Sequence, residues 1–157
     1  MDDYVLPRVP ASAGALLRDD GGRILILKPT YKSGWTVPGG QLEEDGESPW
    51  EGCRREVREE TGLDVTSGRL ACVDFLRPRP GRPGGIRFLF DCGVVDVDRR
   101  AGLALQIEEI SEARWAAPGE ALPLLSGPVG RRVARALEAT GTVYLESGRP
   151  VPGVDAW

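Results

Sequence analysis

The sequence predicts an α/β fold in which a mixed, curved β-sheet lies between helices. Three observations carry this. Segments rich in branched and aromatic residues outnumber helical ones, only two stretches read as amphipathic helices, and a sheet flanked by helices is the natural way to bury both of its faces. The chain has 157 residues, no internal repeat and no long linker, so one domain is expected, with a core from about Pro10 to Ser147. Its 21 glycines and 13 prolines predict many turns between short elements.

The elements follow in order. Ala11–Arg18 and Arg23–Lys28 read as strands joined by Asp19-Asp20-Gly21-Gly22, a strong turn signal. Trp35–Val37 is a short extended piece ending at the Pro38-Gly39-Gly40 turn. Ser48–Thr61 is the clearest helix: Ser48 caps it, Pro49 suits its first position, Glu51 completes a capping box and Gly62 stops it. Val65–Arg77 and Ile86–Val97 read as two long strands separated by the Pro- and Gly-rich loop Pro78–Gly85. A strand over Glu112–Ala116, a helix over Val129–Thr140 and a last strand over Thr142–Glu146 complete the set, with loosely held tails at Met1–Val9 and Gly148–Trp157.

Composition excludes several kinds of function. A net charge of −4 argues against duplex nucleic acid as a partner. The chain has no histidine, which removes any His-based triad, His-ligated zinc or His general base. Its three cysteines, Cys53, Cys72 and Cys92, form no C-x-x-C pair, so free thiols in a reducing cytoplasm are expected. The N-terminus lacks the apolar stretch of a secretory signal, and the longest aliphatic run, Ile24–Leu27, is far too short to span a membrane. A cytoplasmic location and no membrane partner follow as expectations.

The chemistry is concentrated around the first helix. Glu56 lies three residues before Glu59 and four before Glu60, which puts three carboxylates on one helical face. Like charges at that spacing repel, and nothing in local folding asks for them. Two readings are open: a solvated face neutralised by Arg54, Arg55 and Arg58, or a site for a hard divalent cation such as Mg²⁺ or Mn²⁺. The Pro-Gly-Gly turn before the helix, Glu47 just ahead of the cap and the closing Gly62 favour the cation.

In this segment the sequence resembles the Nudix hydrolase family, whose box reads G-x5-E-x7-R-E-U-x-E-E-x-G-U with U aliphatic. From Glu47 through Arg55-Glu56-Val57, Glu59-Glu60 and Gly62-Leu63 the match is complete. Six residues rather than five separate Gly40 from Glu47, which an extra residue in the loop over Glu43–Gly46 would explain. The resemblance implies a Nudix-like α/β/α sandwich and hydrolysis of a phosphoanhydride in a nucleoside diphosphate linked to another group. It implies metal held by Glu56, Glu59 and Glu60, with the Gly40 carbonyl and Glu47 completing the shell. Arg55 would orient a neighbouring carboxylate.

Without histidine the general base must be a carboxylate. Glu56 is one candidate. Glu108, Glu109 and Glu112 precede Trp115 in a stretch resembling the family's late E-I-S-E-x-x-W segment, and Glu109 is the preferred base or extra ligand. Arg77, Arg79, Arg82 and Arg87 border the Pro/Gly loop and suit phosphate, while Trp35 and Tyr31 could stack on a base. Pro78 falls fifteen residues beyond the box, as in ADP-ribose-cleaving members. The expected substrate is a small nucleotide, either a nucleoside triphosphate such as an oxidised one or a nucleotide sugar such as ADP-ribose, acted on by a monomer or homodimer. The alternative is a non-catalytic nucleotide-binding regulator on the same fold.

Overall fold

A computed structural model describes residues 4–154. Its strands are β1 (Ala11–Arg18), β2 (Ile24–Pro29), β3 (Gly39–Gln41), β4 (Arg69–Leu76), β5 (Gly85–Val94), β6 (Ile110–Ala116) and β7 (Val143–Glu146). Its helices are α1 (Pro49–Thr61), α2 (Val97–Arg100), α3 (Pro118–Leu124) and α4 (Gly127–Glu138). The strands form one sheet in the order β6-β2-β1-β5-β4-β7, with β3 added beside β1. Parallel pairing of β1 with β5 and of β4 with β7, amid antiparallel neighbours, makes the sheet mixed, as expected.

Alternation along the central strands sorts their side chains into two cores. Ala13, Ala15, Leu17, Leu25 and Leu27 face Cys53 and Val57 of α1. Leu16, Ile24 and Ile26 point the other way, toward Ala121 of α3 and Val133 and Ala136 of α4. Both faces are therefore covered by helices; β2 is buried at every residue but Lys28, and β1 at Ala13 and Ala15–Leu17.

Three departures from the expected elements stand out. The extended piece forms at Trp35–Thr36 and bends at Pro38, but Gly39–Gln41 is itself a strand, paired with Ser12–Gly14 across a gap in sequence that no local pattern reveals. The strand expected from Val65 begins only at Arg69; Val65 instead packs into the α1-side core, and Gly68 lies close against the ring of Trp50. Pro118 opens α3, a helix that carries no periodic signal in the chain. The Asp19 turn forms as expected, since its buried carboxylate accepts from the Gly21 and Arg23 backbone N–H groups at 2.9 Å each. No helix among the described residues is long and apolar enough to cross a membrane.

The C-terminal segment is better held than expected. Asp74, fully buried on β4, accepts from Nε of Arg132 on α4 at 2.9 Å and from the Gly148 N–H at 2.9 Å. The outermost residues of both expected tails, Met1–Asp3 and Asp155–Trp157, lie outside the described residues. Breaking a buried ion pair by removing one partner strands the other charge. Asp74→Ala is therefore expected to lower unfolding free energy by about 3–5 kcal/mol in urea titration, and Asp74→Ala with Arg132→Leu to recover part of that loss.

Candidate active site

Helix α1 is fixed at both ends, which sets where its carboxylates point. Ser48 Oγ accepts from the Glu51 N–H at 3.1 Å. Gly62 adopts a left-handed conformation with φ of 73° and closes the helix by donating to the Arg58 carbonyl. Cys53 and Val57 are buried against β1; Glu60 lies on that same buried face, Glu56 at its edge, and Glu59 further round toward solvent.

Arg55 organises the acids. It grips Glu47 with two contacts, Nε to Oε2 at 2.6 Å and Nη2 to Oε1 at 2.9 Å. Its Nη1 donates to Glu56 at 2.9 Å and Glu59 at 3.1 Å, and Nη2 also donates to the Gln41 carbonyl at 3.0 Å. Glu47 is thus held as the anchor of Arg55 rather than turned toward the other carboxylates, and this pairing keeps its carboxyl below the ordinary range. Between Gly40 and Glu47 the chain turns at Glu44–Gly46, where Gly46 has φ of 87° and open space around it.

The glycine pair meets the acids at backbone level. Flanking bonds from Ala15 N–H to the Pro38 carbonyl and from Leu42 N–H to the Ala11 carbonyl make Ala13 and Gly40 a hydrogen-bonded pair, so the Gly40 carbonyl faces β1. Gly39 is turned the other way: its N–H donates to Glu60 Oε1 at 2.7 Å, and its carbonyl shares that side. The backbone oxygen available to the carboxylates is therefore that of Gly39 rather than of Gly40. Gly40 has a different task, because a Cβ there would lie 2.6 Å from the carboxyl carbon of Glu56.

Glu109 is brought to the same place. The chain after α2 is stitched to the end of α1 by bonds from Ala104 N–H to the Thr61 carbonyl at 2.8 Å and from Gln106 N–H to the Glu60 carbonyl at 3.2 Å. Thr30 then ties the next loop to this one, its N–H donating to the Glu109 carbonyl at 2.8 Å. Burial, and then the charges of Glu56, Glu109 and Glu59, push the Glu60 carboxyl up to about 8 against the opposing Gly39 bond. Burial also raises Glu56, against its bond to Arg55. Glu112 is not part of this group; it sits exposed on β6 beside Arg114 at 3.3 Å.

Beside the glycines opens a cavity of about 390 Å³, lined among others by Tyr31, Lys32, Gly39, Gly40, Arg87 and Arg132. One wall is the backbone of the glycine strand; Lys32, Arg87 and Arg132 bring three cations. Desolvation, then the charges of Glu60, Glu109 and Glu56, raise the Tyr31 phenol, which places it within reach of the acids. Trp35 does not line this space: it is buried in the second core with Arg114 stacked 4.7 Å over its ring. Arg77 and Arg79 lie at another cavity, and Arg87 borders both. Sequence reasoning did not single out Lys32 or Arg132, which carry no local pattern and are joined to the site by the fold alone.

The donors fit a hard cation. The carboxylates of Glu56, Glu59, Glu60 and Glu109 and the Gly39 carbonyl are all oxygens, and the Glu56 carboxylate fills the space a side chain at residue 40 would occupy. Among the described residues, no three carboxylates or thiols already converge on one point. Arg55 draws Glu56 and Glu59 toward itself while Gly39 holds Glu60, so convergence requires these side chains to turn.

The family model for the NUDIX domain matches residues 8–137. The chain is 31% identical over 129 residues to a MutT-like protein of Streptomyces ambofaciens, covering 82% of this chain and 77% of that one. Its fold is similar to that of a MutT protein from Methanosarcina mazei Go1, with a TM-score of 0.68, 27% identity, and 87% of this chain and 100% of that one covered. It is also similar in fold to the NUDIX domain of Shewanella oneidensis NrtR, solved in complex with ADP ribose. That likeness has a TM-score of 0.71 at 17% identity, over 87% of this chain and 93% of that one.

Gly40→Ala separates positioning from stability. The colliding Glu56 carboxylate ends a flexible side chain, so melting temperature should fall only slightly. Displacing that carboxylate by about 1 Å should nonetheless lower kcat by about 10²-fold.

Proposed function

The chain belongs to the Nudix family, and on that premise we propose that it is a divalent-cation-dependent hydrolase. It would cleave a phosphoanhydride bond in a nucleoside diphosphate linked to another group. The observation that carries this reading is the confrontation of Glu56 and Glu60 with the side-chain-free Gly39-Gly40 backbone at the wall of a cationic cavity. A buried carboxylate surrounded by three others is costly for folding and becomes favourable once a cation joins it.

Glu56, Glu59 and Glu60 would hold Mg²⁺ or Mn²⁺, aided by the Gly39 carbonyl. A cation bound there supplies charge neutralisation for the diphosphate and a lowered pKa for a bound water. The chain's own residues do the rest. Arg55 keeps Glu56 and Glu59 in place through charge-assisted bonds, with Glu47 as its counterweight. Lys32 and Arg132 face the cavity that would receive the phosphates, and Tyr31 offers a ring at its rim for a nucleobase.

Glu109 is the proposed general base. Glu56 is bound to Arg55 and Glu60 to Gly39, whereas Glu109 reaches the group from a separate loop. A carboxylate standing just outside the ligand set can accept a proton that a ligand cannot. The second reading, a nucleotide-binding regulator, draws on the likeness in fold to the NrtR domain solved with ADP ribose. Retention of every box carboxylate favours turnover.

A nucleotide library assayed for formation of the nucleoside monophosphate with and without Mg²⁺ tests the function; no Mg²⁺-dependent product from any substrate would leave the regulator. Glu109→Gln should lower kcat by about 10²–10⁴-fold, as expected for a lost general base, while Mg²⁺ affinity measured by calorimetry changes far less than in Glu60→Gln. If Glu56→Gln instead abolishes turnover and still binds Mg²⁺ while Glu109→Gln is fully active, the base is Glu56.

A further inference from the structure

Six arginines converge on a second cavity behind the first. Arg77, Arg79, Arg82, Arg87, Arg131 and Arg149 border a space of about 370 Å³. They come from four parts of the fold: the end of β4, the Pro/Gly loop with β5, α4, and the turn after β7. Among the described residues the single carboxylate within salt-bridge distance of any of them is Glu146, 3.8 Å from Arg77. Concentrating guanidiniums without counter-charges destabilises the folded chain.

The backbone holds these charges together rather than letting them spread. Arg79 and Arg82 exchange both backbone bonds at 2.9 and 2.8 Å, so they form a bridged pair whose side chains leave the tip on one face. Like charges directly opposite are an unfavourable cross-strand pair. The turn after β7 uses Ser147 at φ of 52°, the one positive φ outside glycine among the described residues, and Ser147 itself lines the cavity. Its carbonyl accepts from Arg131 Nε at 2.9 Å, which aims Arg131 along the wall. Arg87 has a buried Nη1 with no hydrogen-bond partner. A buried guanidinium nitrogen of that kind is an unmet donor.

We propose that this cavity is a binding site for a multiply charged phosphate group, such as an oligophosphate. Guanidinium forks match phosphate oxygens in geometry and charge, and a bound phosphate would add counter-charge to a cluster that has Glu146 alone within salt-bridge distance, and an acceptor for Arg87. Arg87 borders both cavities, so one ligand could occupy the two together. The phosphate then comes either from the distal end of a substrate whose diphosphate lies in the first cavity, or from free oligophosphate. The first source rests on the hydrolase reading above; the site itself does not.

The test has two arms. In calorimetry with EDTA present, inorganic tripolyphosphate should bind the wild-type chain, and Arg79→Ser with Arg82→Ser should weaken it by about tenfold or more through loss of two charge-assisted contacts. Arg8→Ser with Arg135→Ser removes the same charge elsewhere and should bind as wild type. Absence of binding to the wild type, or equal loss in both double variants, overturns the proposal. The kinetic arm compares diadenosine tetraphosphate with ADP-ribose. A KM raised by Arg79→Ser with Arg82→Ser for the tetraphosphate alone assigns the phosphate to the substrate. Unchanged KM for both, with tripolyphosphate binding lost, assigns it to the free ion. Should neither compound be hydrolysed, the nucleotide library still decides the hydrolase reading and the binding arm decides the site.

Discussion

The geometry of the acidic site depends on one cation. Arg55 uses all three of its nitrogens, reaching Glu47, Glu56, Glu59 and the Gln41 carbonyl from a single guanidinium. Without it, the three carboxylates it reaches would repel one another, and β3 would be tied to α1 by the Gly39–Glu60 bond alone. A lysine would supply the charge but not the fork, since its ammonium cannot grip Glu47 with two parallel bonds while reaching two further acids. The helix caps and the glycine backbone fix where α1 lies; Arg55 fixes where its acids point.

Much of this was legible in the chain, and for physical reasons. The α1 boundaries are written in short-range chemistry: a serine hydroxyl, a proline and a left-handed glycine, all acting within four residues of the helix ends. The shared face of Glu56, Glu59 and Glu60 follows from helical spacing. Glu109 could be singled out because its segment resembles a familiar stretch, although its distance from α1 in sequence gave no geometric warrant. The bonds that bring it close run between backbones of two loops, and backbone bonds carry no residue signature.

What the chain concealed was tertiary pairing. A Pro-Gly-Gly run reads as a turn, yet here its glycines are a strand because β1 and Glu56 leave space for nothing larger. That pairing also decides which glycine carbonyl looks toward the acids, a choice no motif can make. Trp35 was a candidate for stacking on a base, but the second core needed its ring and Arg114 covers it. Lys32 and Arg132 sit a hundred residues apart and share a cavity wall; Arg131 and Arg149 join Arg79 in the same way.

Between Gly40 and Glu47 the chain carries one residue more than the usual spacing, and nothing crowds the glycine of the turn at Glu44–Gly46. Because Arg55 clasps Glu47 on one side of that turn and Gln41 on the other, the bulge is closed at its neck and its length is not felt beyond it. Such a segment is free to lengthen or shorten over evolutionary time while the helix stays in register with β3. A signature defined by fixed counts will therefore overlook chains like this one, whereas a signature anchored on the arginine and its two flanking partners will find them.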